Sequence, residues 1–143
     1  MDDSCDDPRT GGCQCGSVRY QLRSSPREVY VCHCTACRKQ SASAFGISVI
    51  VSSAAFALTR GAPKRWSRPT DSGRMLDCYF CPQCGSRVWH GNLERDETIS
   101  VKGGTLDEPV DLSTAAHIWI SRAMKGVIIP EWADRHPHEP DSE

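Results

Sequence analysis

Seven of the nine cysteines fall into three tight groups. Cys13 and Cys15 form a C-x-C pair followed by Gly16, and Cys81 and Cys84 form a C-P-x-C pair followed by Gly85. Cys32, Cys34 and Cys37 make a C-H-C-x-x-C group around His33. A structural zinc commonly takes four thiolates as two short pairs, whereas a catalytic zinc usually has three protein ligands and an open position. Two pairs and one triplet therefore read as two zinc ions: a closed site on Cys13, Cys15, Cys81 and Cys84, and an open one on Cys32, Cys34 and Cys37.

Each group has a blander reading. A C-x-x-C can be a redox motif, but that needs a helix starting at the motif, and Ser86-Arg87-Val88-Trp89 reads as a strand. The C-x-C pair gains weight only from its partner, since each pair ends in glycine and precedes a strand. The triplet could be a second closed site with His33 or His117 as fourth ligand. His33, wedged between two ligands, suits a hydrogen-bond partner of the site or a proton carrier better than a ligand. Thr35 is placed to cap a short helix whose N-terminus, with Arg38 and Lys39, favours thiolate over thiol. Arg38 or Lys39 could also hold a substrate carboxylate. Cys5 reads as unbound, and strand alternation turns Cys78 away from the knuckle as a packing residue or free thiol. His117 in Ala116-His117-Ile118-Trp119 reads as a buried, hydrogen-bonded histidine, and the tryptophans as core or rim.

The elements that must position these groups are short. Period-2 patterns and Gly/Pro turns predict strands over residues 17–22, 46–51, 55–59, 64–67, 74–80, 86–90, 98–102 and 116–120. Helical turns are expected at 35–40 and near 112–115. The chain of 143 residues suits one mainly β domain, expected over residues 11–135, with an acidic flexible tail at 1–10 and a polar one at 136–143. A net charge of −1 and a pI near 6.5 give no general attraction to nucleic acid. No apolar run approaches the ~20 residues a bilayer requires. The acidic start is unlike an export signal, so the expected location is cytoplasmic, where clustered cysteines more often bind metal than form disulfides.

Taken together, Gly12-Cys13-Gln14-Cys15-Gly16, Cys32-His33-Cys34-Thr35-Ala36-Cys37-Arg38-Lys39, Phe80-Cys81-Pro82-Gln83-Cys84-Gly85-Ser86, Gly104-Thr105-Leu106-Asp107 and His117-Ile118-Trp119 resemble the glutathione-dependent formaldehyde-activating enzyme family. That family includes the centromere protein V domain. The resemblance implies a β-tent fold of antiparallel sheets and the same division into structural and active-site cysteines. It also implies carbon–sulfur lyase or synthase chemistry on a thiol–aldehyde adduct such as S-hydroxymethylglutathione, with a glutathione-like thiol as partner. His33 and Arg38 are then the expected catalytic side chains. A non-catalytic binding module like the centromere protein domain is the alternative, although such modules draw on basic or proline-rich extensions. Two positions depart from the pattern: Cys78 stands where a basic residue is typical, and 122–126 lacks a tryptophan.

Overall fold

The computed structural model describes residues 4–140 apart from Asp71, with side chains described from Pro8 onward. Ten strands follow one another: β1 (Ser4–Gly12), β2 (Arg19–Ser24), β3 (Glu28–Cys32), β4 (Gly46–Ser52), β5 (Phe56–Arg60), β6 (Lys64–Pro69), β7 (Met75–Phe80), β8 (Arg87–His90), β9 (Thr98–Lys102) and β10 (Ala116–Ile118). Among the described residues one α-helix, α1 (Thr35–Ser41), lies between β3 and β4. The strands form a three-stranded sheet in the order β1-β2-β5 and a seven-stranded sheet in the order β10-β3-β4-β9-β8-β7-β6. This is the expected mainly β, β-tent architecture. Its pairings are antiparallel except β10 on β3, which is parallel.

The large sheet owes both of its jobs to alternation. Successive side chains point to opposite faces, and directly paired residues share a face. Val49, Val101 and Trp89 occupy one row across β4, β9 and β8. All three are buried in the core, together with Tyr20 and Leu22 of β2. Tyr20 stacks on Phe56 at 5.1 Å, Phe56 packs on Trp89 at 4.7 Å, and Trp89 stacks on Tyr79 at 4.5 Å. This aromatic row joins the two sheets, and each such pair adds about 0.5–1.5 kcal/mol beyond area burial. The other face carries Tyr30, Ser48 and Lys102 in one row, and Trp66, Cys78, His90 and Ser100 in the next.

Both ends are more ordered than their composition suggests. Residues 4–10, expected as tail, belong to β1, which pairs with β2 from Ser4↔Ser24 to Gly12↔Arg19. Residues 8–10 are exposed, so this edge strand carries no hydrophobic pattern, and an edge tolerates proline. Thr10 and Arg19 both hold Asp107, with Arg19 Nη1 3.0 Å from its Oδ1. At the other end, His136 donates its backbone N–H to His117 (2.9 Å) and Trp119 donates to His138 (2.9 Å). The expected tail from 136 thus runs beside β10 as far as Glu139, while 141–143 lie outside the described residues.

Candidate metal centres

The four-cysteine group is built from two matching loops. Cys13 N–H donates to Val18 O (3.1 Å) and Cys81 N–H to Ser86 O (2.9 Å), closing each loop just before its strand. Gly16 and Gly85 take φ of +81° and +80°, a region costly for residues with a Cβ. Backbone N–H groups of Val18 and Gln83 point at Cys13 Sγ and Cys81 Sγ, each at 3.3 Å. The sulfurs of Cys13, Cys15, Cys81 and Cys84 all lie within 4.8 Å of one another. Cys13 to Cys15 is 3.7 Å and Cys15 to Cys81 is 3.8 Å. A tetrahedron with Zn–S near ~2.3 Å needs sulfurs about 3.8 Å apart, so the donor set fits a closed tetrahedral thiolate site.

Two hydroxyls missed in the sequence reading support these sulfurs. Ser17 Oγ lies 3.1 Å from Cys15 Sγ and 3.0 Å from Cys81 Sγ, and Ser86 Oγ lies 3.2 Å from Cys84 Sγ. The signal was the repeated Cys-Gly-Ser, at 15–17 and 84–86. Hydrogen bonds from Ser86 pull the Cys84 thiol down to about 5, readying it as a thiolate.

The three-cysteine group sits where β3 runs into α1. Cys32 ends β3, and Cys34 rather than Thr35 is the helix cap: its sulfur accepts the Cys37 N–H at 3.3 Å. The three sulfurs lie within 4.8 Å of one another, and among the described residues no fourth metal-ligating side chain joins them. Hydrogen bonds from Cys32 and then Cys37 pull the Cys34 thiol down, so Cys34 carries the first negative charge of the group.

This cluster opens onto a cavity of about 950 Å³ over the polar face of the large sheet, whereas the four-cysteine group does not line it. Cys32, Cys34 and Cys37 form part of its wall, with Lys39 and Gln40 of α1 above and Ser48, Ser100 and Lys102 below. Trp66 and Arg87 stand opposite, the guanidinium 5.3 Å from the indole centroid. The acids in the lining are engaged: Asp96 with Arg74 and Arg95, Glu97 with Arg27, and Glu139 with Trp119 Nε1. Lys39, Arg68, Arg87 and Lys102 have no carboxylate partner among the described residues, so the cavity favours an anionic ligand. Burial pushes the pKa of Lys102 below the ordinary lysine value, while the Cys37, Cys78 and Cys32 thiols pull the other way.

His33 and Arg38 do not reach this cavity. Alternation puts His33 on the face opposite Cys32 and Cys34, where it is fully buried, tilted against Phe45 at 5.6 Å and hydrogen-bonded to His117. The expected proton-carrier role is thus not matched by a place on the cavity wall. Neither His33 nor His117 joins the cluster as a ligand; His117 is instead the buried, hydrogen-bonded histidine expected. Arg38 turns its Nε into a buried position with no partner among the described residues, and Lys39 rather than Arg38 lines the cavity. Cys78 is a fully buried free thiol outside both clusters, and the side chain of Cys5 lies outside the described residues. Lys102, Ser48, Ser100, Arg87 and His90 went unnoticed in sequence because single polar residues in alternating strands carry no spacing signal.

Over residues 8–122 the sequence matches the family described as glutathione-dependent formaldehyde-activating enzyme. The chain belongs to that family. A solved structure of a Rhodobacter sphaeroides protein from structural genomics shares the fold, at 21% identity and a TM-score of 0.56. The match covers 76% of this chain and 98% of that one. No helix among the described residues is long and apolar enough to cross a membrane.

Proposed function

We propose that this protein is a zinc-dependent carbon–sulfur lyase or synthase that makes and breaks thiol–aldehyde adducts, with S-hydroxymethylglutathione, formed from glutathione and formaldehyde, as the best-fitting substrate. The observation that carries this reading is the contrast between the clusters: four thiols closed in loops, three thiols facing a ligand-sized cavity. Cavities of roughly 300–1,000 Å³ suit small-molecule ligands. Family membership supports the glutathione and formaldehyde chemistry.

Cys13, Cys15, Cys81 and Cys84 would hold a structural zinc, and Cys32, Cys34 and Cys37 a second. Bound there, zinc would supply Lewis acidity and a template for the reacting sulfur or oxygen. The chain's own residues bind and orient the substrate. Lys39, Arg68 and Arg87 offer charge-assisted hydrogen bonds to the carboxylates of a glutathione-like thiol, while Trp66, Ile50 and Ile118 give its apolar parts a hydrophobic wall. His33 holds the Cys32–Cys34 segment from behind through its bond to His117. The eight described cysteines are unpaired, as expected in a reducing compartment such as the cytoplasm. The cavity at the triplet favours an enzyme over a non-catalytic module.

The test is NMR exchange between ¹³C-formaldehyde and its glutathione adduct, with protein saturated in zinc. Catalysis should raise the exchange rate in proportion to protein added. No acceleration with glutathione or with other small thiols would overturn this function.

A further inference from the structure

One cation in the cavity is sunk below the others. Lys102 closes β9 directly across from Ser48 of β4, and Ser100 precedes it on the same face of the sheet. The residue is 8% exposed, yet it lines the cavity. Its Nζ lies 3.1 Å from Ser100 Oγ and 3.5 Å from Ser48 Oγ. An ammonium has three N–H donors, and two hydroxyls from the sheet leave one for an acceptor in the cavity. No carboxylate meets it among the described residues, although burying a lone ammonium is costly. The thiols of Cys37, Cys78 and Cys32 favour the ammonium, and Arg87, also on the cavity wall, opposes it. The arrangement leaves one N–H, on the cavity wall beside the three-cysteine group, for an acceptor that arrives with the substrate.

We propose that Lys102 is a further catalytic residue for the reaction assigned above: its ammonium, steadied by Ser48 and Ser100, binds the aldehyde-derived oxygen and stabilises the negative charge that develops there. This rests on the proposed lyase reading. In the synthetic direction the thiolate sulfur forms a bond to the carbonyl carbon as the C=O π pair moves onto oxygen. Lys102 donates its free N–H to that alkoxide, which then takes from solvent the proton the thiol had released. In reverse, the hydroxyl loses its proton, C=O reforms, and the sulfur leaves with the C–S electron pair. No oxidant or reductant enters. A fixed donor aimed at such an oxygen is the usual form of oxyanion stabilisation, and losing one costs about 10²–10³ in rate.

Two measurements decide it. In the exchange assay, Lys102→Met should lower kcat by roughly 10²–10³ while KM moves less than about threefold, and Lys102→Arg should recover part of the loss. In wild-type protein labelled at lysine Nζ, the Lys102 resonance should shift with S-hydroxymethylglutathione and much less with S-methylglutathione, which lacks the hydroxyl. Equal shifts with both would overturn the role, even if the methionine variant fails to fold. Wild-type exchange with Lys102→Met within twofold of it would overturn the Lys102 role alone. Absence of wild-type exchange would remove the lyase reading, and this role with it.

Discussion

His33 and His117 are partners across the parallel β3–β10 edge. Their rings stack with centroids 5.3 Å apart, and His33 Nε2 lies 3.0 Å from His117 Nδ1. One nitrogen must donate and the other accept, so the bond requires that at least one ring stay neutral; burial lowers both pKa values and favours this. The pair braces the segment between Cys32 and Cys34 from the side away from the cavity.

A brace and a proton carrier give opposite results on substitution. Removing a buried hydrogen-bond partner costs about 1–3 kcal/mol, whereas losing a general acid or base costs about 10²–10⁴ in rate. We expect His117→Ala and His33→Asn to lower the melting temperature and loosen metal at the triplet. After zinc saturation kcat should stay within about tenfold of wild type, well short of the loss expected of a general acid–base group. Melting curves and the exchange assay check this, and a hundredfold loss in a folded, metal-loaded variant would restore the proton-carrier role.

What sequence could and could not reveal follows from how each signal arises. The cysteine groups were legible because ligand spacing is local: C-x-C, C-x-x-C and their glycines are visible without knowing the fold. Most strands were legible from alternation, as with Val49 and Val51 in β4. Strand β1 was not, because its residues 8–10 are exposed and show no hydrophobic alternation. Strand β3 was masked by ending inside the cysteine motif. The facing of His33 was knowable in principle, since Cys32 and Cys34 on one face force the residue between them to the other. The polar row of Tyr30, Ser48 and Lys102 was not, because it exists only once the β3–β4–β9 register is set.

Two hydroxyls bridge the halves of the four-cysteine site: Ser17 Oγ meets the sulfurs of Cys15 and Cys81, and Ser86 Oγ accepts the Gln14 N–H at 3.1 Å while meeting Cys84 Sγ. Partners that orient metal ligands typically account for 10–100-fold in affinity. We expect Ser17→Ala to speed zinc loss to a chelator by about tenfold at the four-cysteine site while leaving exchange activity in zinc-saturated protein unchanged. An unchanged release rate would show that the hydroxyl contacts are incidental.

The buried His90 makes stability fall in acid. Burial first, then Lys102, Arg87 and Arg68, hold its pKa down to about 2, and Arg87 Nη1 lies 3.1 Å from its Nε2. The folded form therefore keeps a neutral imidazole while the unfolded chain protonates near 6.5. Between those values the unfolded state binds the extra proton, so stability falls as pH drops below about 6.5. One such group accounts for about 2 kcal/mol by pH 5, from ~1.4 kcal/mol per pH unit. Urea midpoints measured from pH 7.5 to 5 should decline in wild type and decline less steeply in His90→Gln. Equal slopes would show that His90 is protonated in the fold.

The two cysteine groups should differ most in what their loss does. Elemental analysis after zinc saturation should give about two ions per chain, as the two ligand sets require. The closed site ties the loop before β2 to the loop before β8, and so joins the small sheet to the large one. Structural zinc can supply an apparent ~10–16 kcal/mol of folding free energy, as much as or more than a domain's net stability. We expect Cys13→Ser or Cys81→Ser to give insoluble or unfolded protein. The triplet lies in the cavity wall, outside the aromatic row from Tyr20 to Tyr79 that joins the sheets. Cys34→Ser or Cys37→Ser should therefore leave a cooperatively melting domain with about one zinc and no exchange activity. Circular dichroism, metal content and exchange rates distinguish the classes. If the triplet variants unfold as severely as the pair variants, both ions are structural and the cavity is not the site of catalysis.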